Sequence, residues 1–235
     1  MAYRKEPLVE GEYYHLYNRG NSKQDIFLDE EDRARFIKLL FLCNSEKRIN
    51  FRDDIVDRGI DAFDFERGEN IVSLGAWVLM SNHFHLYITS KKFPEDRPRG
   101  SAGNEISAIT EFMRKLLTGY SSYFNKKYNR TGTLFEGRFK STRVTNDQQA
   151  KYLFSYIHLN PVKIIDKEWK ENGIQDMSRA IKFLDTYVWS SYHDHKGIVR
   201  RENNLLSVKE FPEYFSSPAI FEKEIFEWLI PLGPS

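Results

Sequence analysis

IVSLGAWVLMSNHFHLYIT, residues 71–89, is the stretch that decides the fold of this chain. Residues 71–80 form a β-prone apolar run long enough for a buried strand. Ser81-Asn82 suits a two-residue hairpin turn, and residues 83–89 return as the second strand. Side chains two positions apart on a strand share a face. The stretch therefore predicts an antiparallel hairpin that carries His83 and His85 on one face.

The flanking segments extend this hairpin into a larger sheet. Residues 12–18 are β-prone and are followed by an amphipathic helix that starts near Asp29. A long amphipathic helix follows the hairpin, then a strand at 138–144 and a helix at 145–160 that Pro161 ends. The order β-α-β-β-α-β-α is typical of a ferredoxin-like sheet. We therefore predict an α+β fold with helices on one face of an antiparallel sheet, and the other face free for a ligand.

Breaks in this pattern indicate the domain organisation. Residues 45–70 are charged and weakly periodic, which is typical of an insertion, and residues 91–104 are rich in Pro, Gly and charge, which predicts a loop. Several short helices are expected after Pro161. The predicted division is one domain over 1–165 and a helical C-terminal extension over 166–235 that packs on it.

Composition excludes some classes of protein. The single cysteine, Cys43, rules out a disulfide framework, and we find no secretory signal and no apolar run of membrane-spanning length. A cytoplasmic location and no membrane partner are therefore expected. The net charge is only +1, but residues 114–143 hold eight basic residues and one acidic residue, Glu136. Such a tract is typical of nucleic-acid binding.

Tyr156 and Asn160 are the second candidate pair. They lie one helical turn apart, so they share a face. A tyrosine can attack a phosphodiester when a metal or a basic group helps to remove its proton, and an amide oxygen beside two imidazoles suits Mg²⁺ or Mn²⁺. On its own, the pair is better explained as a helix aromatic and the residue that ends a helix before proline.

Four segments, in this order, resemble the REP-associated tyrosine transposases, a branch of the single-tyrosine HUH transposases. They are YYHLYNRGNSKQDIF (13–27), WVLMSNHFHLYI (77–88), RTGTLFEGRFKS (130–141) and YIHLNPVK (156–163). A fifth segment, TYVWSSYHDH (186–195), resembles the part that follows the catalytic helix in this branch. The matched pieces span residues 12–195, interrupted at 45–70 and 91–104.

The resemblance implies a specific chemistry. His83 and His85 correspond to the metal-binding histidines, Tyr156 to the nucleophile, and Asn160 to the third ligand, where insertion-sequence relatives have glutamine. The implied activity is metal-dependent cleavage and rejoining of single-stranded DNA near hairpins through a 5′-phosphotyrosine, with Mg²⁺ or Mn²⁺ as cofactor. The implied partner is hairpin-bearing DNA, bound by a homodimer or a monomer that is cytoplasmic and nucleoid-associated.

Seven further residues are expected to contact DNA. The end of the first predicted strand corresponds to the part of the family that reads the sequence beside the hairpin, and basic residues later in the chain suit DNA phosphates. The set is Tyr17, Asn18, Arg19, Arg130, Arg138, Lys140 and Arg143.

Two other functions stay open at this stage. One is a hairpin-binding protein that no longer cuts DNA, and the other is a hydrolase that uses the His pair and a metal-bound water. The remaining histidines show no partner pattern. His15 and His158 are left out of the site, and His193-x-His195 is assigned to a loop without function.

Overall fold

The structure is a computed structural model that describes residues 7–90 and 107–227. The predicted loop at 91–104 lies outside these residues. The strands are β1 (Tyr13–Arg19), β2 (Ser73–Leu79), β3 (His83–Thr89) and β4 (Lys140–Val144). The helices are α1 (Glu30–Cys43), α2 (Ala108–Lys127), α3 (Asp147–Leu159), α4 (Trp169–Asn172), α5 (Met177–Leu184), α6 (Tyr192–His195) and α7 (Pro218–Glu227). None of the helices in these two ranges is long and apolar enough to span a membrane.

The four strands form one antiparallel sheet in the order β2-β3-β1-β4. With α1 between β1 and β2, and α2 between β3 and β4, this is the ferredoxin-like arrangement. The predicted fold class is confirmed. The predicted hairpin also forms: the Met80 amide donates to the His83 carbonyl at 2.8 Å, which leaves Ser81 and Asn82 as the two-residue turn.

α1 and α2 cover the first face of the sheet. Asp29 caps α1 by accepting a hydrogen bond from the Asp32 amide, and Ser107 caps α2 through the Thr110 amide. The rings of Phe36 and Phe84 pack 5.0 Å apart under α1. Leu16, Phe84 and Leu86 of the central strands point into this core. The alternate side chains of the same strands, including His83 and His85, therefore face the other side.

The second face is largely covered, contrary to the expectation that it would be free. α3 and residues after 165 pack on it in a second apolar cluster. That cluster joins the sheet residues Ala76, Val78 and Tyr87 to Phe154 and Trp169. The physical reason is that every residue of β2 is buried, as in a strand with apolar contacts on both faces. Only the end of this face near His83 and His85 remains available for a ligand.

Asn44, at the end of α1, ties that helix to the strand β2. Its Oδ1 accepts from the amides of Ile71 at 3.0 Å and Val72 at 2.9 Å, and its Nδ2 donates to the Val72 carbonyl at 2.9 Å. The side chain of Arg67 adds hydrogen bonds to the carbonyls of Phe41 and Asn44. The insertion at 45–70 is thereby anchored at both ends, and it contains two one-turn helices, Arg52–Val56 and Ala62–Asp64.

We expect Asn44→Ala to lower the free energy of unfolding by about 2–4 kcal/mol, because three buried backbone groups lose their partners. Urea denaturation followed by circular dichroism measures the change. Asn204→Ala is the matched control: Asn204 is exposed, and its loss should cost no more than about 0.5 kcal/mol. Equal effects in the two variants would contradict the assigned role of Asn44.

Candidate active site

The sheet register brings the His pair together with the end of β1. His83 lies opposite Arg19, and His85 lies opposite Tyr17. The imidazole rings of His83 and His85 are 5.1 Å apart at 82°. Directly opposed residues of an antiparallel pair share a face, so the four side chains form one patch on the second face of the sheet.

α3 brings Tyr156 onto this patch. The helix begins where the Asn146 side chain accepts from the Gln149 amide, and it ends at Leu159, where a 3₁₀ turn that contains Pro161 follows. The Tyr156 ring lies 5.2 Å from the His85 ring at 81°, an edge-to-face contact. Tyr156 is half-buried, so its phenol is held in the patch and is not lost in the core.

Asn160 completes the patch one turn after Tyr156. It is only 1% exposed. Hydrogen bonding by its amide raises the pKa of His83 and lowers the pKa of Tyr156. One chain thus brings together Tyr156, His83, His85 and Asn160, the four residues singled out from the sequence as the reaction centre.

His15 belongs to the same patch and was left out of the sequence prediction. Its Nε2 lies 2.9 Å from His85 Nδ1, and the two rings stack at 5.0 Å. If His85 donates its Nδ1 proton to His15, the lone pair of His85 Nε2 is free for a ligand. The available signal was the pairing of β1 with β3, which puts odd-numbered residues of β1 on the face of His85.

The three imidazoles are uncharged near neutral pH. Burial lowers the pKa of His15 to about 4 and that of His83 to about 4, and for His83 the Asn160 amide opposes the shift. Burial, followed by the neighbouring His15, His83 and Lys170, holds the pKa of His85 well below its usual range. Neutral imidazole is the form that binds a metal, so metal binding here needs no proton release from these rings.

The donor atoms fit a divalent metal. His85 Nε2 is buried and has no hydrogen-bond partner, and the side-chain oxygen of the buried Asn160 can serve as a hard ligand. The side-chain oxygen of Asn82 lies 2.6 Å from His83 Nδ1, which leaves His83 Nε2 as an acceptor. Among the described residues, no group of three or more His, Cys, Asp or Glu is placed to hold a metal ion. Within the described part of the chain, Asn160 is therefore the side chain best placed to join the two imidazoles as a ligand.

The Tyr156 phenol is poorly ionised as it stands. Burial raises the pKa of Tyr156, and the Asn160 amide and the Lys163 charge oppose the shift. The phenolate is the nucleophilic form, so attack by this oxygen requires positive charge close to it when the proton leaves.

The seven residues expected to contact DNA do not form one surface. Tyr17 and Lys140 lie in one cross-strand row with His85, so both are on the face that carries the His pair. Arg19 is beside His83, although its guanidinium is already paired with Glu136. Asn18 points the other way: it is buried, and its Oδ1 accepts from the Arg19 amide at 2.9 Å.

Of the remaining three basic residues, Arg143 and Arg130 have partners away from the His pair. Arg143 lies opposite Tyr14, whose side chain is in the first core, and it pairs with Glu12 at 2.6 Å. Arg130 donates to Gln24 at 3.0 Å. Arg138 is exposed and precedes β4.

The basic tract is therefore split by the fold. Its helical half lines a groove of about 1050 Å³ on the outer side of α1 and α2, together with residues of the insertion. The basic residues in this groove are Arg35, Lys47, Arg48, Arg52, Arg114, Lys115 and Lys126. Only Lys140 of the tract shares a cross-strand row with the His pair.

The other three histidines are structural. His158 is buried, with its ring nitrogens 2.8 Å from the Phe154 carbonyl and 2.8 Å from the Ser191 hydroxyl. His195 Nε2 is 2.8 Å from the Gly75 carbonyl, and His193 Nε2 is 3.1 Å from that of Asp185. The assignment of His193 and His195 to a loop was wrong: both lie on α6, which packs into the second core.

This core predicts sensitivity to acid. Burial, followed by the nearby His195, holds the pKa of His158 well below that of an unfolded histidine. Below pH 6.5 the unfolded chain therefore binds a proton that the folded chain does not, and the free energy of unfolding falls by about 1.4 kcal/mol per pH unit for this group. Urea titrations at pH 7 and pH 5 measure how far the free energy of unfolding falls between these two pH values. This fall should be about 2 kcal/mol smaller in His158→Gln than in the parent. An unchanged drop would contradict this.

Comparison with known proteins gives a likeness in structure but none in sequence. The sequence matches no protein-family model, and it matches no curated protein. The structure is similar to that of a REP-associated tyrosine transposase bound to a REP hairpin, with a TM-score of 0.44 and 15% identity over 86% of this chain and 90% of that chain. That protein bears the name of the family that the sequence motifs resemble. At this TM-score and identity the likeness does not establish chemistry, so the assignment of function rests on the residues and distances above.

Proposed function

We propose that the chain cleaves and rejoins single-stranded DNA beside hairpins, with Tyr156 as nucleophile. The observation that carries the proposal is the phenol of a helix held 5.2 Å, ring to ring, from an imidazole whose Nε2 is buried without a partner. A nucleophile next to an unused metal-binding atom is the minimum arrangement for metal-assisted phosphoryl transfer.

The proposed step is an exchange of phosphodiester bonds. Tyr156 Oη forms a bond to phosphorus as the bond from phosphorus to the DNA 3′-oxygen breaks, which leaves a 5′-phosphotyrosine and a free 3′-hydroxyl. The ester is retained, so a 3′-hydroxyl can reverse the step and rejoin the strand. His83, His85 and Asn160 would hold Mg²⁺ or Mn²⁺, which polarises the phosphate when bound.

The chain's own residues set the direction of attack. The edge-to-face contact with His85 and the interaction with Asn160 orient the Tyr156 phenol within the patch. Tyr17 and Lys140, in the row with His85, are placed to hold the strand next to the cleaved bond by stacking and by charge. All of these residues come from a single chain, so a monomer suffices for the reaction.

The hydrolase is the weaker alternative. The charged side chains that lower the pKa of His83 are Lys170, Lys163 and Arg19, and Lys170 also lowers the pKa of His85. All of them are basic. A metal-bound water would need a general base, and none of the charges with the largest effect on the pKa of either ring is a carboxylate. A hairpin-binding protein without cleavage would keep the same surface, and only an experiment separates it from the nuclease.

The test uses the full chain and an oligonucleotide with a hairpin and single-stranded flanks, labelled at either end, with Mn²⁺ or Mg²⁺. The expected result is a covalent adduct, stable in detergent, that carries only the label downstream of the cut and maps to Tyr156 by mass spectrometry. Free 5′-phosphate ends without an adduct would support the hydrolase. Binding without cleavage in either metal would support the binding protein.

A further inference from the structure

Lys170, the second residue of α4, lies over the ring of Tyr156. Its Nζ is 4.2 Å from the ring centroid, within the range of a cation–π contact. This residue follows the nucleophile by 14 positions and comes from the segment after 165, which neither the sequence motifs nor the sheet assigns to the reaction centre.

The position of Lys170 is set by its neighbour. Trp169 is fully buried in the second core, which fixes the start of α4 against α3. The Lys170 ammonium is 5.6 Å from the centroid of the Trp169 ring and closer to the Tyr156 ring. The side chain thus extends from an anchored backbone across one aromatic ring towards the phenol, although the residue as a whole is exposed.

The ammonium has no counter-ion among the described residues. Other ordered lysines of this chain do: Lys127 contacts Asp29, Glu31 and Asp32, and Lys196 contacts Asp185 and Glu222. Lys170 instead lies over the Tyr156 ring, and its charge lowers the pKa of both His83 and His85. Burial lowers the pKa of Lys170, and the charge of the adjacent Glu171 opposes the shift.

A cation held without a partner beside a nucleophile is suited to an anion that arrives with the substrate. In the proposed reaction, negative charge lies on the phosphodiester and passes from the Tyr156 oxygen onto the leaving 3′-oxygen. The described charged groups nearest to this path, Lys170 and Lys163, are both basic. Lys163 is exposed in the 3₁₀ turn after α3, whereas Lys170 contacts the ring itself.

We propose that Lys170 is a phosphate-binding residue of this centre, whose ammonium contacts the reacting phosphodiester and stabilises the charge that develops as Tyr156 attacks. The step is balanced: the Oη–P bond forms as the P–O3′ bond breaks, the phenol proton leaves to solvent, and the released 3′-oxygen takes up one proton. The segment after 165 thereby supplies part of the reaction centre. This inference rests on the proposed function.

The test compares Lys170→Met, which keeps the stem over Trp169, with Lys170→Arg, which keeps the charge. Lys167→Met is the matched control, because Lys167 is exposed three residues earlier. Single-turnover adduct formation on the hairpin oligonucleotide should fall about 100-fold in Lys170→Met and recover to within about 10-fold of the parent in Lys170→Arg. Lys167→Met should match the parent. Unchanged thermal unfolding in all three variants shows that the fold is kept.

A second measurement does not depend on cleavage. The slope of log K against log salt for binding of the same oligonucleotide should be smaller in Lys170→Met by about 0.7, the value for one phosphate contact on a single strand. Lys167→Met should keep the parental slope.

The outcomes separate the two proposals. An adduct formed by Lys170→Met at the parental rate, or a loss that Lys170→Arg does not recover, would overturn the role of Lys170 and leave the function standing. Binding without an adduct in the parent would overturn the function, and the salt slope would then decide for or against phosphate contact by Lys170. A parent that neither binds nor forms an adduct would overturn both.

Discussion

Tyr156→Phe is expected to abolish covalent attachment to DNA, with a loss of at least about 10⁴-fold in adduct formation, because no other group replaces the attacking oxygen. The substitution removes one atom and keeps the ring contacts with His85 at 5.2 Å and His15 at 6.0 Å. The variant should therefore fold normally and bind the hairpin oligonucleotide within about 3-fold of the parent, since binding depends mainly on phosphate contacts. Denaturing gels measure the adduct, and fluorescence anisotropy measures binding.

Tyr152 supplies the control for this prediction. It lies one turn earlier on α3, stacks on Tyr156 at 6.4 Å and is 50% exposed, so its hydroxyl is the most accessible one near the centre. Tyr152→Phe should form the adduct at the parental rate. Loss of the adduct in Tyr152→Phe, together with its retention in Tyr156→Phe, would move the nucleophile to position 152 and contradict the geometry proposed here.

The parts of the structure that could be predicted from the sequence are those governed by local periodicity. The alternation in residues 83–89 places His83 and His85 on one face whatever the strand pairs with. Tyr156 and Asn160 share a helix face for the same kind of reason, and Pro161 ends that helix. These patterns, together with the order of strands and helices, were enough for the ferredoxin-like sheet.

Residues brought together by tertiary packing could not be predicted in this way. His15 joins His85 only through the register of β1 on β3, which no single strand determines. Lys170 reaches Tyr156 because Trp169 is buried in the second core. The continuous apolar run at 71–80 did indicate that both faces of the sheet are covered, because a strand exposed on one face alternates apolar and polar residues.

The basic tract shows the converse case, in which residues that are close in the sequence are separated by the fold. Its residues are close in sequence, and their charge alone suggests one DNA-binding surface. On β4, however, Lys140 and Arg143 occupy opposite faces, and Arg143 is paired with Glu12. Charge that is continuous along a chain is divided by a strand, because the strand alternates its side chains between two faces.

His85→Ala is expected to remove metal binding, with a loss of Mn²⁺ affinity of at least about 100-fold, because it deletes the one imidazole nitrogen that is buried without a partner. His83→Ala should have an effect of similar size. Both are measured without DNA, by titration of Mn²⁺ followed by electron paramagnetic resonance, so the result is independent of cleavage. His158→Gln is the control, since His158 is bonded to Phe154 and Ser191 in the second core and should leave the affinity unchanged.

Substitutions of His15 test whether the buried imidazole rings form a metal site. If His15 accepts the Nδ1 proton of His85, then His15→Phe removes that acceptor and should weaken Mn²⁺ binding by about 10–100-fold, whereas His15→Gln keeps an acceptor and should weaken it less. Equal affinity in His85→Ala and the parent would exclude His85 as a ligand. In that case the metal would be held by other groups, and the unpartnered Nε2 would have to be satisfied by the substrate.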